Sequence, residues 1–84
     1  MILSIIFMIF WYNLFMKTFG EKIKELRKEK GLTQKELAAK IGQAQSTIFY
    51  WEQDKQKPDI YSLKKLCDLF DVPADYLIGR IDEY

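Results

Sequence analysis

The segment from Gly31 to Glu52 constrains folding more than any other part of this chain. Two short helical patterns sit there with a single glycine turn between them. Thr33-Gln-Lys-Glu36 reads as a capping box, in which hydroxyl and carboxylate each accept the other residue's backbone N–H and so start a helix. Leu37 and Ile41 follow at i and i+4 and mark the inward face. Ala38 is small, as the close approach of a following helix requires. Gly42 supplies the stop. A second helix is predicted from about Gln45 to Glu52, with Ile48 and Trp51 facing inward.

The flanking sequence supplies what this pair needs to pack against. Thr18-Phe-Gly-Glu21 is another capping box, and Phe19, Ile23 and Leu26 give the helix after it an apolar face. Glu21, Lys22, Lys24, Glu25, Lys28 and Glu29 are assigned to its other faces, and Gly31 ends it. Gln53 to Pro58 is a polar loop. Asp59 is the N-cap of a fourth helix whose apolar stripe is Leu63, Leu66, Cys67 and Phe70. Asp71-Val-Pro73 breaks it, and a short last helix holds Tyr76 and Leu77 and stops at Gly79. With no strand alternation and no repeat, the expectation is an all-α fold: a compact five-helix domain over residues 17–84 around one core.

Residues 1–16 do not match this pattern. They form a hydrophobic leader without charge, apolar all round and interrupted only by Ser4 and Asn13. The run is short of the roughly 20 residues that span a bilayer. It also lacks the basic start and small-residue cleavage site of a signal peptide. Three readings fit it. All three methionines lie here, and a start at Met16 would give Met-Lys-Thr-Phe-Gly-Glu, a natural beginning for the domain. The run could instead be a membrane anchor, with the following lysines holding the domain on the cytoplasmic side. Or it is a helix that packs on the domain or on a partner. A membrane is a partner only if residues 1–16 belong to the native protein.

Composition removes several function classes. The chain has 84 residues, no histidine and one cysteine, Cys67. A disulfide framework, a Cys/His metal site and a histidine relay are excluded within one chain. The carboxylates and lysines do not converge, so no catalytic residues, no metal and no cofactor are expected. Net charge is only +1, but it is unevenly spread. Residues 17–57 hold ten Lys/Arg against six Asp/Glu, and residues 58–84 hold three against six. The basic half contains the two-helix unit, as phosphate binding would require.

On a helical wheel, Ala44, Thr47, Ile48 and Trp51 share one side of the third helix. Ser46, Phe49, Tyr50 and Gln53 lie opposite, with Gln45 at the margin. That outer face has amides, a hydroxyl and aromatics but no charge. Its aromatics need a cover: the leader, a second subunit, or DNA. In a major groove a glutamine amide pairs bidentately with adenine, so Gln45 suits base readout. Ser46 bonds a base edge or phosphate, and Phe49 and Tyr50 suit a thymine methyl. No Lys or Arg lies between Gly42 and Gln53, so bidentate arginine readout of guanine is not open to this helix. An A/T-leaning half-site is expected. Phosphate contacts are expected from Gln34 and Lys35 at the second helix's N-terminus, and from Gln53, Lys55 and Lys57 after the third.

These residues resemble the lambdoid repressor and Cro-like helix-turn-helix domains of the XRE family. The resemblance rests on Leu26-Arg27-Lys-Glu-Lys-Gly-Leu-Thr-Gln34, Glu36-Leu-Ala, Lys40-Ile-Gly42 and Ser46-Thr-Ile48. It continues through Trp51-Glu52, Lys57-Pro58, Leu63 to Leu66 and Val72-Pro-Ala-Asp-Tyr-Leu-Ile-Gly79. It spans about three quarters of the chain, and the leader has no counterpart. It implies a five-helix, cytoplasmic transcriptional regulator, a repressor in the main, binding double-stranded operator DNA as a homodimer. It places phosphate contact on Gln34 and base readout on Gln45, Ser46 and Tyr50. It also pairs Arg27 with Glu52, and it draws dimer contacts from the C-terminal helices, where Tyr76, Ile78 and Ile81 are candidates. Two positions depart from the family pattern. Ala44 stands where many relatives cap the third helix with Ser or Thr, and Asp54 stands where Gly or Asn is common. An antitoxin with a protein partner on its acidic half fits the same surface, and a membrane-tethered interaction module is the alternative from another class.

Overall fold

The computed structural model describes residues 4–8 and 17–79. Five helices follow one another between residues 19 and 77: α1 (Phe19–Glu29), α2 (Gln34–Ile41), α3 (Gln45–Glu52), α4 (Ile60–Phe70) and α5 (Ala74–Leu77). Residues 4–8 are also helical and exposed. The rest of the leader and Ile81 lie outside the described residues. No helix among those described is long and apolar enough to cross a membrane.

Local chemistry sets most of the boundaries. In α1, Glu21 N–H donates to Thr18 Oγ1 at 3.1 Å and Thr18 N–H to Glu21 Oε1 at 3.3 Å. The same reciprocal pair starts α2, with both distances 3.0 Å between Thr33 and Glu36. Gly42 closes α2 at φ 71°, where a side chain would be strained. Ala44 precedes α3 without any side-chain cap. Asp59 Oδ1 accepts the Ser62 N–H at 2.7 Å and starts α4. Asp71, at φ 55°, ends it.

The core draws on every helix. Ile23, Leu37, Ile48, Leu66 and Leu77 are the largest fully buried side chains, one each from α1 to α5. Each contributes roughly 1.5–3 kcal/mol of hydrophobic stabilisation. Leu26, Ala38, Ile41, Trp51, Phe70 and Val72 complete the cluster. Leu63 and Cys67, expected in the α4 stripe, are only partly buried at its edge. The fold's central pieces are α2 and α3: α3 packs on both α2 and α1.

Lys22 of α1 differs from expectation, and Gly20 carries a contact that no expectation covered. Lys22 is not on an outer face but 6% exposed. It lies three residues after Phe19 and four before Leu26, hence on the apolar side. Its stem packs there while its ammonium donates to Tyr76 O at 2.7 Å and sits 4.6 Å from the Tyr76 ring. That carbonyl belongs to the last turn of α5, whose exposed carbonyls favour a cation. Gly20 is buried because α1 crosses the end of α3 backbone to backbone. A Cβ on it would stand 2.5 Å from Glu52 O and 2.6 Å from Trp51 O.

Candidate nucleic-acid interface

The packing of Ile48 and Trp51 inward turns the opposite side of α3 to solvent. Gln45, Ser46, Phe49 and Tyr50 are all exposed. Phe49 and Tyr50, at 44% and 40% exposure, are large apolar groups left in water by the fold itself. Their rings meet edge to face, with centroids 5.6 Å apart. Together with Gln34 from the start of α2, these four residues line one open groove. The fold therefore gathers the four expected base-reading residues and one expected phosphate contact into a single surface.

The remaining expected contacts are not equally available. Lys35, Gln53 and Lys55 are exposed. Lys57 is exposed too, but its Nζ pairs with Asp54 Oδ1 at 3.3 Å and lies 5.3 Å from the Phe19 ring centroid. A phosphate must compete with Asp54 for that ammonium.

Beneath the groove lies a buried polar network. Arg27 Nε donates to Glu52 Oε2 at 2.7 Å, and its Nη2 donates to Glu52 Oε1 at 3.2 Å. Its Nη1 donates to Leu32 O at 2.7 Å. The side chains are 10% and 1% exposed, so this pair is shielded from solvent. The Arg27–Glu52 pairing implied by the family resemblance is thus present and bidentate. Sequence reading missed its third member: Gln34 Nε2 donates to Glu52 Oε1 at 3.1 Å. No local pattern signals a bond between residues 18 positions apart.

Asp54, the second departure from the family pattern, does more than occupy a turn position. It does adopt φ 58°. In addition, its Oδ1 accepts the Gly20 N–H at 2.9 Å, capping α1 from the loop after α3. Partial burial pushes its carboxyl pKa up. Hydrogen bonds from the Thr18 side chain and Gly20 N–H, with the Lys57 ammonium, outweigh this and hold it below the usual carboxylate value. On the other side of the unit, Gln43 Nε2 in the turn donates to Ser62 Oγ at 3.0 Å, tying the turn to α4. Among the described residues no cluster of His, Cys, Asp or Glu could hold a metal.

The sequence profile of a helix-turn-helix family matches residues 23–77. The HTH-type transcriptional regulator ImmR of Bacillus subtilis (strain 168) is 39% identical over 61 residues. That match covers 73% of this chain and 48% of ImmR, so the chain spans roughly half the length of this relative. Among solved structures, the P22 c2 repressor in complex with a synthetic operator superposes with a TM-score of 0.71 at 27% identity, covering 74% of this chain and 94% of that one. The biofilm regulator SinR in complex with DNA gives 0.65 at 39% identity, covering 71% and 97%.

Proposed function

The chain belongs to the helix-turn-helix family, and from that premise we propose that it is a sequence-specific, double-stranded-DNA-binding transcriptional regulator acting as a repressor. The observation that carries this reading is the single groove formed by Gln34, Gln45, Ser46, Phe49 and Tyr50. In this reading α3 lies in the major groove. Gln45 pairs with adenine, Ser46 bonds an adjacent base edge, and Phe49 and Tyr50 cover thymine methyls. Lys35, Gln53, Lys55 and, after leaving Asp54, Lys57 contact phosphates, as does the α2 N-terminus with Gln34.

A homodimer would place two such helices on half-sites about 34 Å apart. Ile78, 56% exposed beside the last helix, is the described apolar residue best placed to make that contact. The protein acts in the cytoplasm, where its operator is. An antitoxin variant of the same function draws support from Ile60 and Tyr61. Both are more than 70% exposed on the acidic half, as a protein-binding patch would be.

Selection from a random double-stranded DNA pool tests the main reading. The expected outcome is an A/T-leaning half-site whose enrichment is lost with Gln45→Ala. A G-rich motif would remove the proposed base chemistry, and no enrichment at all would remove the function.

A further inference from the structure

We infer that Glu52 is a positioning residue for DNA reading: it holds the Gln34 amide in the one orientation that serves the groove. This rests on the proposed DNA-binding function. A carboxylate only accepts hydrogen bonds, so the 3.1 Å contact with Glu52 Oε1 must be made by the amide nitrogen of Gln34. One Nε2 hydrogen is thereby committed inward. The second Nε2 hydrogen and the amide oxygen remain for the groove that Gln34 shares with Gln45, Ser46, Phe49 and Tyr50.

The anchor is itself rigid. Glu52 is fixed by two bonds from Arg27, and Arg27 by a third to Leu32 O. The carboxylate is 1% exposed, so water does not compete for it. One buried anion therefore links α1, α2 and α3 and presents a side chain at the reading surface. A free glutamine would have to be ordered when DNA binds, and prior ordering removes that entropic cost. It also selects a base, because an amide of fixed polarity next to Gln45 meets only one donor–acceptor pattern well. On this account Gln34 contributes to base specificity as well as to phosphate binding.

The test compares affinity for the selected operator with affinity for a scrambled duplex, using the full chain. Gln34→Met keeps the volume of the side chain and loses the amide. It is expected to lower the operator-to-scrambled ratio by about tenfold, the size of one good base contact, and to lower melting less than Glu52→Gln does, since Arg27 still holds the carboxylate. Glu52→Gln should lower both melting and that ratio, but should lower the ratio no further once Gln34→Met is present. If Gln34→Met weakens both duplexes equally, or if the two ratio effects add, the inference is overturned. Should Glu52→Gln not fold, NMR of the unmodified protein decides. The Gln34 side-chain amide signals, identified by their loss in Gln34→Met, should be shifted from free-glutamine values; coincidence with those values overturns the inference. A wild-type protein that does not distinguish the two duplexes would instead defeat the DNA-binding reading itself.

Discussion

A single methyl group added at position 20 would meet backbone, not a side chain that can swing away. The nearest atoms to such a Cβ are carbonyl oxygens at the end of α3. Gly20→Ala would gain helix propensity in α1, worth about 1 kcal/mol. Relieving the contact requires moving α1 from α3, and overpacking of this kind costs typically 1–3 kcal/mol. Clash should win, giving a lower melting temperature than wild type; equal or higher melting would show that α1 shifts freely. Arg27→Ala acts at the same junction by stranding the Glu52 carboxylate. Its expected cost is ~3 kcal/mol, read by denaturant unfolding, and unchanged stability would mean the pair contributes nothing. Asp54 gives a pH signature. Its folded pKa is lowered, so its stabilisation is full above the unfolded value and is lost as pH falls through the folded one. Acid melting below about pH 4 should therefore be shallower in Asp54→Asn, which keeps an acceptor for the Gly20 N–H and tolerates φ > 0 but does not titrate.

At the scale of the elements, what was legible and what was not divides by distance along the chain. Both capping boxes, the Gly42 stop, the Asp59 cap and the break at Asp71 are local, since each feature and its partner lie within a few residues. Helical periodicity likewise placed Ile23, Leu37, Ile48 and Leu66 in the core. The outer face of α3 was readable because an uncharged, aromatic surface helix is itself an anomaly. Lys22 with Tyr76, Gly20 with Glu52 and Gln34 with Glu52 join different helices, and no spacing rule announces them. Lys22 shows this most clearly: its charge points to an outer face, but its place on the wheel is on the apolar side. Gly20 did leave a signal, a glycine inside a helix, which costs about 1 kcal/mol and so asks for a reason. The helix of the reading surface, α3, starts without such local support, since its N-cap Ala44 makes no side-chain hydrogen bond. Ala44→Ser should add about 1 kcal/mol of stability. If thermal melting does not rise, the first turn of α3 is already satisfied by other means.

For the whole molecule the decisive quantity is where charge sits, not how much there is. Net charge is +1, which on its own predicts weak, salt-insensitive attraction to DNA. Yet cations outnumber anions only in residues 17–57, the stretch that carries the groove, and the acidic excess belongs to residues 58–84. Counterion release depends on the phosphates neutralised locally, so the polar asymmetry should matter more than the sum. Lys35, Lys55 and Lys57 give three candidate contacts per protomer. The logarithm of affinity should then fall with log salt at a slope of about −0.9 per contact, or roughly −5 for a dimer. Lys35→Ala and Lys55→Ala should each flatten that slope by about 2 in the dimer. Lys57→Ala should flatten it less, because its ammonium already has Asp54 as a counter-ion 3.3 Å away and releases fewer condensed ions on binding. A salt titration of operator binding for the three variants separates these cases. Equal effects would show that the Asp54 pair is irrelevant on DNA, and a wild-type slope near zero would show that these lysines do not touch phosphate.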